Sequence, residues 1–175
     1  MSTVSSGDGN QGLRCVLKDH SIRHTTSDYK DFSDCVSIEI LTYFLITPAT
    51  KFSPSLQSIV GGPVVMVGSM AEKFSNCTQF NSPVNHWDTS RVTIMTQMFM
   101  GATAFNQPIG SWDTSRVTIM TQMFMGATAF NQPIGSWDTS RVTDMTGIFN
   151  NTPSFEQDIQ NWDISLYRRE YFVHL

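Results

Sequence analysis

The chain has 175 residues, of which 40% are hydrophobic and 15% charged, with three cysteines and a net charge of -4 at neutral pH. That is the composition of a folded chain rather than a disordered one, and the acidic balance excludes the clustered basic surface of a general nucleic-acid binder. Cys15, Cys35 and Cys77 show neither CxxC nor Cys/His spacing, so neither a metal site nor a disulfide framework is expected.

Residues 1–36 are polar and aperiodic, rich in Ser, Asp and Thr, and read as a disordered or poorly packed leader. Met1 to Asn10 carries no basic residue and no apolar core, so it does not read as a secretory signal. The most apolar stretch, Ile38 to Ile46, is too short to cross a bilayer and contains Glu39, so no membrane span is expected. Residues 37–61 are apolar but lack the landmarks of the repeats beyond them. Leu56-Gln57-Ser58-Ile59 imitates the spacing of Ile109-Gly110-Ser111-Trp112, which makes 37–61 a candidate N-terminal cap for a repeat array.

From residue 62 a 25-residue period takes over. Residues 87–111 read WDTSRVTIMTQMFMGATAFNQPIGS, and residues 112–136 repeat that string without a change. Residues 137–161 keep WDTSRVT and the Phe positions, residues 162–165 open a partial copy, and residues 62–86 form an eroded one. A period of this length points to a solenoid over 62–165. Residues 166–175 remain as a C-terminal tail or cap, with Tyr167 and Tyr171 one helical turn apart.

Within a repeat, Met95, Met98, Phe99 and Ala102 stand at i, i+3, i+4 and i+7, the stripe of a short amphipathic helix, with Thr93 placed as its N-cap. The stop signal falls at Gly101 and Gly126, and at Asn76 and Asn151 in the divergent copies. These two residue types best tolerate a left-handed backbone. After Pro108, the spacing Ile109-x-x-Trp112-x-Thr114 resembles the strand core of leucine-rich repeats. It predicts a short parallel strand at 111–115 that sends Trp112 and Thr114 inward and Ser111, Asp113 and Ser115 outward. The expected fold is therefore an α/β solenoid, a leucine-rich-repeat-like right-handed coil with one short parallel strand and one short helix per repeat.

Stacking coils turns each repeat position into a column. The Trp column (Trp87, Trp112, Trp137, Trp162) and the Phe and Met columns read as core, and Asn81, Asn106 and Asn131 as a structural ladder that frays where Glu156 replaces Asn. What remains for recognition is polar. Asp88, Asp113, Asp138 and Asp163 stand on one solvent-facing strip, accompanied by Ser111, Ser115, Ser136 and Ser140 and rimmed by Arg91, Arg116 and Arg141. Like charges one strand apart repel, so the carboxylates need local hydrogen bonds, arginine partners or a bound cation or basic ligand.

The run VTxMxxMFxxAxxFNxPIxxWDTS resembles the signature of the BspA-like leucine-rich-repeat surface proteins over about residues 62–165. That resemblance implies a surface-exposed or secreted recognition module, although the chain shows no signal peptide, lipobox or wall anchor. His20, His24, His86 and His174 are scattered, and no nucleophile elbow, phosphate loop or zinc-binding helix motif is present. The expectation is a noncatalytic chain without cofactor that binds a protein or glycan ligand through its strand face. The alternatives are a fragment or decaying copy of a larger repeat protein, and an intracellular interaction scaffold.

Overall fold

Alternation of inward and outward side chains, not helical periodicity, organises this chain from its first described residue. The computed structural model describes residues 12–26 and 28–167. Among them are nine strands and no helix: β1 (Leu13–Leu17), β2 (Ile22–Thr25), β3 (Asp31–Phe32), β4 (Cys35–Ile40), β5 (Phe44–Ile46), β6 (Lys51–Phe52), β7 (Ser58–Gly61), β8 (Val64–Ser69) and β9 (Asp88–Ile94).

Parallel pairing between segments one coil apart builds the array. Asp31 of β3 lies opposite Lys51 of β6, Ile38 of β4 opposite Ile59 of β7, and Phe44 of β5 opposite Val64 of β8. Each partner is 20 or 21 residues on, so the first coil is shorter than the 25-residue ones. β8 then pairs with β9 through a bulged register, Val65 with Asp88 and Val67 with Arg91. Beyond β9 the ladder thins to single parallel bridges, Ile94 with Ile119 and Ile119 with Asp144. The result is a β-solenoid whose 25-residue region makes about three turns.

The leader expected to be disordered or poorly packed is ordered where it is described. β1 and β2 form an antiparallel hairpin, and β1 lies antiparallel on β4, with Arg14 opposite Glu39. Leu13 and Cys15 point inward and are fully buried. With only two apolar positions alternating, this strand is nearly invisible to a periodicity count. Residues 1–11 of that leader, and residues 168–175 of the tail, lie outside the described residues. Residues 37–61 carry β4 to β7 and so contribute solenoid coils, with Leu56 and Ile59 buried. Covering the N-terminal edge falls instead to β1.

Cys15 and Cys35 form a disulfide between β1 and β4, with Cα atoms 5.7 Å apart, which corrects the expectation that the cysteines make none. Their pairing follows from the antiparallel register of two strands that sequence spacing alone does not bring together.

The short helix expected in each repeat is absent. The N-H groups of Met95, Gln97, Phe99 and Gly101 donate to carbonyls of the following coil, Ile119, Thr121, Met123 and Met125, at 2.8–2.9 Å. The alternate N-H groups of Met98, Met100 and Ala102 close turns back to Met95, Gln97 and Phe99. Left-handed backbone recurs every four residues, at Gln97 and Gly101 (φ 52° and 67°), which no α-helix can contain. A ribbon of four-residue turns buries Met95, Met98, Phe99 and Ala102 just as a helix would, and this is why the stripe misleads. Gly101, Gly126, Asn76 and Asn151 do adopt the left-handed conformation, as the reversal of a turn rather than the end of a helix. Thr93, assigned to an N-cap, lies in β9, and its carbonyl accepts from the backbone and hydroxyl of Thr118.

The parallel strand also lies further along than 111–115. The bridges fall at Ile94, Ile119 and Asp144, while Thr114 to Val117 is a turn closed by a 2.9 Å bond from Val117 N-H to the Thr114 carbonyl. The inward and outward assignment survives the shift except at Ser115, which is half-buried. Ile109, Trp112 and Thr114 are buried, and Ser111 and Asp113 are exposed.

Two phenylalanine columns fill the centre. Phe74, Phe99, Phe124 and Phe149 stack along the array with centroids 5.4–5.9 Å apart, and Phe80, Phe105, Phe130 and Phe155 do so at 5.9–6.2 Å. Every buried ring contributes roughly 1.5–3 kcal/mol. Three of the Trp indoles donate to the previous coil, Trp112 Nε1 to Val84 O, Trp137 to Ile109 O and Trp162 to Ile134 O, at 2.9–3.0 Å. In the last coil Met145, Phe149, Phe155 and Ile159 are only partly buried, whereas Met120, Phe124, Phe130 and Ile134 are fully so.

Candidate functional site

The recurring WDTS motif determines the polar strip locally. Buried Trp and Thr on either side of the aspartate hold its backbone against the core and turn the carboxylate outward. Two residues on, the serine closes an Asx turn. Asp88 Oδ1 accepts from Ser90 N-H at 3.0 Å and from its hydroxyl at 2.6 Å. Asp113 receives Ser115 and Asp138 receives Ser140 at 2.9 Å and 2.6 Å, and Asp163 accepts the Ser165 N-H at 2.8 Å. Among the described residues every hydrogen bond to these four carboxylates falls on Oδ1. No described residue bonds their Oδ2 atoms.

These bonds hold each carboxyl below the ordinary aspartate range. For Asp88, Asp113 and Asp138 the serine hydroxyl is the largest cause, followed by the serine N-H, with a smaller contribution from the neighbouring arginine charge. Asp163 is lowered in the same way by Ser165 and raised slightly by the charge of Asp138. The strip therefore stays anionic at neutral pH.

The serines divide by role. Ser115 and Ser140 serve the Asx turns, while Ser111 donates to Asn85 O and Ser136 to Gly110 O in the preceding coil, at 3.1 Å and 3.2 Å. Their hydroxyls are occupied in holding coils together. Arg116 and Arg141 occupy central positions of the turns 114–117 and 139–142, and Arg91 lies in β9; all three are exposed. The ion pairs among the described residues are Arg14 with Glu39 and Arg23 with Asp34, both near the N-terminal edge, so the arginine column makes no contact pair with the aspartates. In coils 112–136 and 137–161 the strip consequently runs along turns, not along the flat strand face foreseen for it. No three carboxylates of the column bring ligand oxygens within 4.8 Å of one another among the described residues.

The other columns hold the coils in register. Asn81 Oδ1 accepts the Asn106 N-H and the Gln107 amide, Asn106 Oδ1 accepts from Asn131 and Gln132, and Asn131 Oδ1 from Glu156 and Gln157, at 2.8–3.0 Å. The ladder stops where Glu156 takes the asparagine's place. The hydroxyls of Thr89, Thr114 and Thr139 donate to the carbonyls of Asp113, Asp138 and Asp163 in the next coil, at 3.0–3.1 Å. The backbone at Asp113, Asp138 and Asp163 is thereby pinned from the coil below.

A cluster at the N-terminal edge went unread in the sequence. Arg23 chelates Asp34 at 2.7 Å and 2.8 Å, lies 4.8 Å over the Tyr29 ring and brings Nη2 to 3.4 Å from Cys35 Sγ. Its Nε is the one buried side-chain polar atom without a partner among the described residues. Cys15, Asp34 and Cys35 also have metal-compatible spacing, with both sulfurs committed to the disulfide. The signal available was Leu13 and Cys15 alternating ahead of a polar turn and a second short strand. The remaining cysteine, Cys77, is buried and donates to Ser53 O, and burial pushes its thiol up to about 12.

No described helix is long and apolar enough to cross a membrane. Residues 68–171 match the profile of a family described as Mycoplasma protein of unknown function, DUF285, and the chain belongs to that family. Comparisons with curated proteins and with solved structures return no match.

Proposed function

We propose, with membership of that repeat family as the premise, that the chain is a noncatalytic recognition or adhesion module of the BspA-like surface type, which takes a protein or glycan ligand along its Asp/Arg strip. The observation that carries this reading is the division of labour within the repeat. Trp, Phe, Asn and Thr side chains, with Ser111 and Ser136, are consumed by inter-coil contacts, and Ser90, Ser115 and Ser140 by Asx turns. The carboxylates are held by their Asx turns and recur once per coil, and the arginine side chains beside them are exposed. Fixed, repeating charges on a rigid scaffold favour selective docking over loose attraction. The Cys15–Cys35 disulfide supports an oxidising environment such as a cell surface, since such bonds do not persist in most cytosols.

The test is the triple variant Asp88→Asn, Asp113→Asn, Asp138→Asn, which keeps the Oδ1 acceptor of each Asx turn. It should melt like the parent chain and lose capture of ligands found by screening immobilised matrix proteins and glycans. Undiminished capture would remove the strip from this role.

A second reading, a fragment of a longer repeat protein without function of its own, is favoured by the partly exposed Phe149, Phe155 and Ile159 of the last coil. Thermal unfolding followed by circular dichroism separates the two. A single cooperative transition opposes the fragment reading, and a broad drift supports it.

A further inference from the structure

We infer that the Asp/Arg strip is self-complementary and that its partner is a second copy of this chain, docked side by side with the two solenoids parallel. This deepens the recognition reading above and rests on it. Asp88, Asp113 and Asp138 form one column of negative charge, and Arg91, Arg116 and Arg141, three residues along the same segment, form a positive column beside it. All six side chains are exposed, and none is joined to another by an ion pair among the described residues.

A two-fold axis running along the solenoid, between the columns, carries each Asp column onto the Arg column of the other copy. A two-fold axis across the solenoid would place Asp on Asp and Arg on Arg, and like charges so placed repel. Charge thus selects the parallel arrangement from the two isologous ones.

Register argues for the same partner. The strip repeats once per coil, at the spacing of the Ile94, Ile119 and Asp144 bridges, and a ligand meets every pair only if its own charges recur at that spacing. A second copy has it by construction. The identity of residues 87–111 and 112–136 keeps two consecutive coils matched at every position. The acidic side of the strip is also held still, because each carboxylate is fixed by its Asx turn, and at Asp113 and Asp138 the backbone carbonyl accepts a threonine hydroxyl from the coil below. Less conformational freedom is then lost on docking. In the last coil Leu166 takes the arginine position beside Asp163, which ends the complementary pattern there.

Sedimentation of the purified full chain, with its disulfide intact and no other ligand, tests this. The parent chain should show a monomer–dimer equilibrium at low ionic strength that shifts at least tenfold toward monomer on addition of salt, because exposed pairs are screened. The variants Asp88→Lys/Asp113→Lys/Asp138→Lys and Arg91→Glu/Arg116→Glu/Arg141→Glu should each be monomeric, and their equimolar mixture should form a heterodimer. A parent chain that stays monomeric at low salt overturns the proposal. So does a dimer indifferent to salt, or one retained by the Arg→Glu variant. Should the Asp→Lys variant misfold for want of its Asx turns, the salt series and the Arg→Glu variant still decide. Because no foreign ligand is present, self-association can fail while ligand capture by the strip stands, and the reverse.

Discussion

At the scale of single residues, the Asp113–Ser115 pair shows how little of a conspicuous motif is free to act. Its carboxylate is spent on one oxygen and open on the other, and the serine is the main reason its pKa is low. Ser115→Ala should therefore raise the Asp113 pKa toward the ordinary aspartate value, as followed by carboxyl-carbon NMR during an acid titration. The sign of the linkage is fixed. A carboxyl depressed in the folded state adds stability that is present above its unfolded pKa and lost as pH falls through the folded one. The parent should accordingly lose more stability on acidification than the Ser115→Ala chain. The motif WDTS made the buried and exposed positions legible, because alternation survives even where the strand gives way to a turn. The turn itself was hidden, since nothing in Thr114 to Val117 demands one.

At the scale of one coil, the error over the helix has a definite cause. Burial at i, i+3, i+4 and i+7 is common to a helix and to successive four-residue turns, and what separates them is the left-handed residue in the middle. That column reads Glu72, Gln97, Gln122 and Gly147, all at positive φ, so glycine appears in only one of four copies. A non-glycine residue there costs about 1–2 kcal/mol, which the bonds to the next coil offset, including 2.7 Å from Gln97 Nε2 to Gln122 Oε1. The asparagine ladder, by contrast, was readable, because an amide recurring after a core Phe has few other uses. Asn106→Leu strands the Asn131 N-H and the Gln132 amide and should cost about 1–3 kcal/mol in urea unfolding. Asn106→Asp, which keeps an acceptor oxygen, should cost clearly less. Equal losses from both variants would mean that packing rather than the accepted bonds sets the value of this position.

At the scale of the whole molecule, the periodic part announced itself and the two ends did not. A first coil of 20 or 21 residues carries no repeated letters, so the solenoid begins near Asp31, well before the repeat can be seen. The edge that an antiparallel hairpin covers is pinned by a disulfide between cysteines 20 residues apart, a separation that says nothing of their register. Closing a loop of that size stabilises a fold by about 3 kcal/mol in the chain-entropy account. Cys15→Ser/Cys35→Ser should lower the stability of the chain by that order in denaturant titration, with early loss of hydrogen-exchange protection in β1 and β2. Loss of protection that begins instead in residues 112–161 would show that the hairpin is not what guards the array.

The antiparallel β1 has one more consequence, for heredity rather than stability. Growth by adding parallel coils is closed at the β1 edge, but the interior of the array is indifferent to how many identical units it holds. Recombination between the segments encoding 87–111 and 112–136 would insert or remove a whole coil in frame, leaving the hairpin and the final coil as they are. Each such event changes the reach of the molecule by about 4.8 Å and its strip by one acid and one base. Net charge stays the same while length becomes an inherited, countable dial.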